Sequence, residues 1–148
     1  MAMGEWTPIQ TEEDICVLMQ SFGGFHDSCI KELKYISGAY VGEDLGMFPF
    51  NDQRSVRMIF QRQDKNPMAI EMEFSGVITL SLSPKNTAYT AEILDASMLM
   101  RDGKIYWYDS FFKEKPDVYH GTWIEAEGVR WRCADDCMGN KEIYVMNI

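Results

Sequence analysis

The chain has 148 residues, of which 46% are hydrophobic and 25% charged, so we predict one folded domain over residues 1–148 rather than a disordered chain. Its 23 acidic and 14 basic residues give a formal net charge of −9, which argues against nucleic acid as a partner. No apolar run approaches the roughly 20 residues of a membrane-spanning helix, so a membrane is not expected as a partner either.

The first predicted element is a helix that begins after Thr11, preceded by a loosely held arm at residues 1–10. Thr11 can cap the helix, and Asp14 stands at the position that completes a capping box. Gly23-Gly24 is a typical helix end. Between these signals, one apolar stripe that suits packing on a sheet recurs at helical spacing: Ile15, Leu18, Met19 and Phe22.

The rest of the chain shows the alternating pattern of β-strands. Along the clearest of them, Glu71 and Glu73 alternate with apolar residues and are expected to face water. Residues 42–53 form a loop rich in glycine and aspartate, with an apolar run at residues 47–50. We predict strands at residues 29–41, 54–63, 68–74, 77–82 and 142–146, and on both sides of Asp102-Gly103 and of Glu127-Gly128.

Three dipeptides predict tight turns between consecutive strands. Asp102-Gly103 between two apolar runs is typical of a type I′ hairpin, in which Arg101 pairs with Lys104 and the ladder runs out to Met98 and Trp107. Ser75-Gly76 predicts a second hairpin, and Glu127-Gly128 a third. The third would place Glu125 opposite Arg130, an ion pair across the two strands.

These elements predict an α+β fold that is mostly β. One N-terminal helix precedes about eight strands, and the short connections between strands require antiparallel neighbours. We therefore expect a strongly curved antiparallel sheet, either a sandwich or an open barrel, with the helix covering one end or face.

His26-Asp27 is the first candidate for chemistry. A histidine beside a carboxylate can act as a general base or a metal ligand. Alternatively, His26 bonds a backbone carbonyl and Asp27 accepts backbone amides, so that the pair holds the turn. Phosphohydrolases of the His-Asp type need more histidines than the one other in this chain, His120. We predict no catalytic residue, and we keep His26 and Asp27 as candidate binding residues.

A zinc site is the alternative prediction. His26, Cys29, Cys133 and Cys137 have the residue types of a structural Cys₃His centre, provided that the two ends of the chain meet. The chain would then be a small metal-binding protein or hydrolase with zinc as cofactor. Otherwise no cofactor is expected, and the cysteines are free thiols in a cytoplasmic protein, because Met1–Trp6 has no features of a secretory signal.

Aromatic residues crowd the segment from residue 106 to residue 131. Strand alternation sends half of them to each face, and exposed aromatics among acidic residues are typical of a protein-binding surface. Phe111 and Phe112 can equally fold back over the sheet. The candidate binding residues of this group are Tyr106, Tyr108, Phe111, Phe112 and Trp123.

The stretch Phe25-His26-Asp27-Ser28-Cys29-Ile30-Lys31-Glu32-Leu33 resembles small, mostly uncharacterised bacterial proteins in which Phe-His-Asp opens the first strand of a β-rich domain. Some of those proteins are grouped with the immunity proteins of polymorphic toxin systems. The resemblance implies a cytoplasmic, non-enzymatic protein that binds and neutralises a toxin. An acidic chain would suit a basic toxin as its protein partner. The sequence does not indicate an oligomeric state.

Overall fold

A computed structural model of the chain describes residues 3–144. Within this range lie one α-helix, α1 (Glu12–Ser21), and a 3₁₀ turn at Gly23–Phe25. The strands are β1 (Thr7–Ile9), β2 (Ser28–Ile36), β3 (Tyr40–Val41), β4 (Met47–Phe48), β5 (Ser55–Arg62), β6 (Ala69–Ser81), β7 (Ser97–Arg101), β8 (Lys104–Tyr108) and β9 (Trp123–Cys133).

The strands build one seven-stranded antiparallel sheet and one small sheet. The main sheet runs β2-β5-β6-β9-β8-β7, and β1 pairs with β9. The predicted α+β fold, mostly β with one N-terminal helix and a curved antiparallel sheet, is confirmed. Over residues 3–144 the outer strands β2 and β7 do not pair, so the sheet does not close into a barrel. No helix in the described range is long and apolar enough to cross a membrane.

Helix α1 begins as its sequence predicts. The Thr11 hydroxyl accepts a hydrogen bond from the Asp14 amide at 3.2 Å, and the Asp14 carboxylate accepts one from the Thr11 amide at 3.0 Å. This capping box satisfies amides that the first turn of a helix leaves without partners. The apolar face of α1 then turns Leu18 and Phe22 completely away from solvent.

The main core lies under the face of the sheet that α1 covers. Side chains of β5 and β6 enter it in alternation, as the pleat of a strand requires. Phe25, in the 3₁₀ turn, sits among aromatic rings: its centroid is 5.1 Å from that of Phe22, 5.0 Å from Phe60 and 5.7 Å from Trp107. The first residue of the Phe-His-Asp triplet is therefore a core residue.

The described part of the predicted loose arm, residues 3–10, is attached to the main sheet. β1 pairs with β9 from Thr7 opposite Trp131 to Ile9 opposite Val129, and Ile9 is buried. The pairing is available because β8 ends its ladder opposite Ala126 and leaves the next part of β9 with free backbone groups. That part of β9 would otherwise be an open edge of the sheet, and β1 completes its ladder.

Two of the three predicted turns are wrong. β6 continues through Ser75-Gly76 without a chain reversal, and β9 continues through Glu127-Gly128 in the same way. In this pairing Ser75 lies opposite Gly128. Gly76 has a positive φ of 59° inside the strand, and the register shifts by one residue between Val77 and Thr79. These glycines thus mark an irregular, bent stretch of two long neighbouring strands rather than chain reversals.

The third turn is confirmed. Asp102 and Gly103 both have positive φ, as a type I′ turn needs, and the ladder pairs Arg101 with Lys104. The predicted strand at residues 142–146 is not present at residues 142–144, and its last two residues lie outside the described range.

Candidate functional site

The most exposed apolar feature of the described chain is a small hairpin between β2 and β5. We call residues 40–50 the apolar hairpin. Its strands β3 and β4 pair only with each other in the sheet order, Tyr40 opposite Phe48 and Val41 opposite Met47. The sequence predicted an extended strand to residue 41 followed by a loop, so this hairpin was not anticipated. The Met-Phe-Pro-Phe run at residues 47–50 is the signal that marks it.

The side chains of the apolar hairpin are turned to solvent. Tyr40, Val41, Leu45, Met47 and Phe50 are 53–84% exposed, and none of them belongs to a core cluster. The Tyr40 ring stacks on Phe48 with centroids 5.2 Å apart, and Phe48 meets Phe50 edge to face at 5.1 Å. These ring contacts fix the positions of the three rings relative to one another, and the exposed side chains of the hairpin form an apolar ridge. Large exposed apolar patches of this kind mark interaction sites.

Leu45 at the tip of the hairpin is held in an unfavourable conformation. Its φ is 71°, in the left-handed region where a side chain costs about 1–2 kcal/mol. The amide of Leu45 donates to the Gly42 carbonyl and the Gly46 amide donates to the Asp44 carboxylate, at 2.8 and 2.9 Å, so the turn is closed around it. Leu45 is also the most exposed large apolar residue among those described, at 84%. Folding alone would favour glycine at this position.

The base of the hairpin is fixed to the main sheet by backbone bonds. The Ser37 carbonyl accepts from the amides of Gln53 and Arg54, each at 3.0 Å. Gly38, with a φ of 99°, lies so close to Asp52 and Gln53 that a Cβ there would collide with them. The two ends of the hairpin therefore lie side by side where they join β2 and β5 of the main sheet.

The hairpin and its base are acidic. Residues 37–53 contain Glu43, Asp44 and Asp52, all exposed, and no lysine, arginine or histidine. Within residues 37–53 the only charged side chains are therefore carboxylates, and the next basic residue, Arg54, is paired with Glu127 at 3.1 Å.

His26 and Asp27 lie in a second exposed place, a turn between α1 and β2. Gly23, Gly24, Phe25 and Asp27 all have φ between 57° and 64°, which is unfavourable for the two that are not glycine. Backbone bonds fasten the turn to a distant segment: the Asp27 amide donates to Ile93 and the Ala96 amide donates to Gly24, each at 3.0 Å.

The His26 ring makes the backbone contact that one of the two interpretations predicted. Its Nδ1 lies 2.6 Å from the Leu94 carbonyl oxygen, and its Nε2 lies 3.4 Å from the Asp27 carboxylate. The Leu94 carbonyl, followed by Asp27, raises the pKa of His26 above its usual range. A hydrogen bond with Asp27 raises the pKa of Glu92, since the two carboxyl groups face each other.

The aromatic candidates divide into buried and exposed positions. Tyr106 and Tyr108 are buried on the outer face of β8, and Tyr108 stacks on Trp123 with centroids 5.7 Å apart. Phe112 folds back over this face and meets Tyr108 at 5.3 Å. Of the five predicted binding aromatics, only Phe111 is largely exposed. The structure thus uses most of this group to cover the sheet.

The four residues of the predicted zinc site are not gathered into one centre. Within residues 3–144, no group of three or more His, Cys, Asp or Glu side chains has an arrangement that could hold a metal ion. Cys137 is buried, with its Sγ 3.9 Å from the sulfur of Met3, whereas Cys133 is exposed and His26 is engaged with Leu94. Partial burial raises the pKa of Cys29, Cys133 and Cys137 above the ordinary thiol value.

Comparisons with protein-family models, with curated proteins and with solved structures found no match. The resemblance of residues 25–33 to small bacterial β-rich proteins, some of them grouped with immunity proteins, therefore stays a prediction. What the chain binds has to be inferred from the positions, burial and charge of its side chains.

Proposed function

We propose that this chain is a non-enzymatic protein-binding domain of the immunity type, which neutralises a toxin by docking on it through the apolar hairpin. The observation that carries the proposal concerns Leu45, at the tip of the apolar ridge. Its large apolar side chain is exposed, and its backbone is held at an unfavourable positive φ. Residues whose conformation or exposure is unfavourable for folding are expected at functional sites. An apolar ridge stiffened by stacked rings loses little freedom on binding, which favours affinity.

The charge of the chain favours a basic partner. Residues 37–53 bring three carboxylates and no basic group to the contact, the neighbouring Arg54 is paired with Glu127, and the whole chain carries −9. A second copy of the chain would bring the same charge, so self-association is disfavoured by repulsion. A partner with lysine and arginine around an apolar groove would be attracted over a distance and then held by the ridge.

The proposal is tested with the immobilised chain as bait in an extract of the cells that produce it. The hairpin variant Leu45→Ser/Met47→Ser/Phe50→Ser removes the ridge. The control variant Val17→Ser/Tyr89→Ser/Val118→Ser removes three other apolar side chains, which are 52–72% exposed and lie outside the hairpin. We expect one protein to be retained by the wild type and the control, to be lost with the hairpin variant, and to bind less at higher salt.

Toxicity supplies the functional readout. The captured protein, expressed alone, should arrest growth, and co-expression of the wild type or the control variant should restore growth. The hairpin variant should not restore it. A captured partner that the hairpin variant binds and neutralises as well as the wild type does would refute the proposal.

A further inference from the structure

A cleft separate from the apolar hairpin lies between the loop that follows β6 and the loop that follows β8. Its volume is about 410 Å³, within the range of small-ligand sites. Ile30, Leu82, Pro84 and Ile93 supply apolar wall, and Asp109 and Tyr119 supply polar groups. The cleft thus has the mixture of apolar wall and a few placed polar groups that ligand sites show.

The two loops that form the cleft are tied together. The Ser83 amide donates to the Thr122 hydroxyl at 3.0 Å, and the Ser83 hydroxyl donates to the His120 carbonyl at 2.8 Å. On the other wall, the Ile93 amide donates to the Ser28 carbonyl of β2 at 2.7 Å. A cleft held at both walls exists before a ligand binds, so binding does not have to order it.

One carboxylate of the cleft is held in a defined orientation. The Tyr119 hydroxyl donates to Oδ1 of Asp109, which leaves Oδ2 as an acceptor. Burial, followed by this hydrogen bond, raises the pKa of Tyr119 to about 12, so the phenol remains a neutral donor at physiological pH. Tyr119 therefore holds one oxygen of the Asp109 carboxylate beside the apolar wall of the cleft.

The charges around the cleft favour a ligand of positive charge. Glu92, Asp95 and Asp109 line it, against a single basic residue, Lys85. Among the described residues, no lysine or arginine forms an ion pair with these three carboxylates; Asp95 lies 3.9 Å from His26. An anionic ligand would be repelled, whereas a cationic donor would give Oδ2 of Asp109 a hydrogen bond in addition to the one that Oδ1 accepts from Tyr119.

We propose that this cleft binds an organic cation, an ammonium or guanidinium group on a short apolar stem. The charged group meets Oδ2 of Asp109, and the stem lies along Ile93 and Leu82. Two sources present this chemistry: a free small amine, or a lysine or arginine side chain of a bound protein. The site is built from other residues than the apolar hairpin and does not depend on the function proposed above.

The test uses pentylamine as the probe, with amide resonances of the full chain followed by NMR at 150 mM salt. We expect saturable shifts at Ser83, Leu94 and Ser110, and about tenfold weaker binding in Asp109→Asn, whose amide oxygen can still accept from Tyr119. Asp102→Asn, on the β7–β8 turn, is the matched control, since it removes the same charge outside the cleft and should bind as the wild type does.

Two probes of the same length report on the charge. Pentanol and pentanoate should bind at least tenfold more weakly than pentylamine. Equal binding of pentanol, equal losses in the two variants, or no saturable shift at the cleft would each overturn the proposal.

The source of the cation is decided by a peptide. Acetyl-Gly-Lys-Gly-amide carries the same ammonium group and stem on a polypeptide backbone. Tighter binding of the peptide than of pentylamine assigns the cleft to a side chain of a protein, and the reverse assigns it to a free amine.

Discussion

The guanidinium of Arg57 lies 2.6 Å from the carboxylate of Glu71, and that carboxylate is only 1% exposed. Strand alternation predicted that Glu71 faces water, which is wrong. Arg132, opposite Glu71 on the neighbouring strand β9, lies 2.7 Å from its other oxygen. Two arginines thus enclose one glutamate on the outer face of the sheet. The arginines compensate the buried negative charge of Glu71, and Glu71 compensates the positive charges of the arginines.

Replacing Glu71 should therefore destabilise the fold. Glu71→Gln keeps the shape but leaves two arginines facing a neutral amide, and we expect a loss of about 3 kcal/mol in the free energy of unfolding. The measurement is equilibrium unfolding in urea. Glu73→Gln is the control, because Glu73 and its partner Arg130 are more exposed and their ion pair contributes at most about 1 kcal/mol. Equal losses in both variants would contradict the burial of Glu71.

Trp6 covers this charged group and should hold the N-terminal segment in place. Its ring lies 4.2 Å from the guanidinium carbon of Arg130 and of Arg132. Trp6→Ala should cost about 1–2 kcal/mol and speed hydrogen exchange of the Gly4 amide, which donates to Cys133. Trp6→Tyr, which keeps a ring, should lose less. A Gly4 amide that exchanges freely in the wild type would show that the arm is loose after all.

The pH dependence of His26 follows from its contacts with Leu94, Asp27 and Asp95. Because its pKa is raised in the folded state, protonation favours the fold. This contribution is fully present below the ordinary histidine pKa of about 6.5 and is lost as the pH rises through the higher folded value. His26→Gln should therefore lose stability at pH 5.5 and little at pH 8. An NMR titration that places the pKa of His26 at or below 6.5 would contradict the contact.

Leu45 should show a conflict between stability and binding. Leu45→Gly removes the steric cost of the positive φ at this position. The Gly42 amide should then exchange its hydrogen more slowly, because the free energy of local opening rises by roughly 0.5–1 kcal/mol. The same change should weaken partner binding, since it removes the tip of the ridge. Leu45→Ala separates the two effects: it keeps the strain and loses the side chain. Slower exchange in the alanine variant as well would mean that strain is not the cause.

Phe111 and Phe112 should differ sharply although they are neighbours. Phe112 packs on Tyr108 and Tyr119, with ring centroids 5.3 and 5.0 Å away, whereas Phe111 is 67% exposed. Phe112→Ala should lower the free energy of unfolding by about 2–3 kcal/mol, and Phe111→Ala by less than about 0.5 kcal/mol. Thermal unfolding of the two variants decides this. Similar melting temperatures would mean that Phe112 does not cover the sheet.

The candidate sites were only partly visible in the sequence. The backbone contact of His26 follows from residue type and from its place in a turn, but its partner, the Leu94 carbonyl, is 68 residues away and has no local signal. The exposure of the apolar hairpin was not predictable, because Met47 and Phe48 have the composition of a core strand. Whether such a strand is covered depends on what the rest of the chain places over it.

Local chemistry by itself determined the Thr11–Asp14 capping box and the Asp102-Gly103 hairpin. Both depend on residues within a few positions of each other, whose backbone angles and hydrogen bonds need no distant partner. Only the tertiary structure decided that Gly76 and Gly128 lie within strands and that Glu71 is buried. β6 and β9 satisfy each other's backbone groups across more than 40 residues of sequence, and this long ladder outweighs the turn preference of a single glycine.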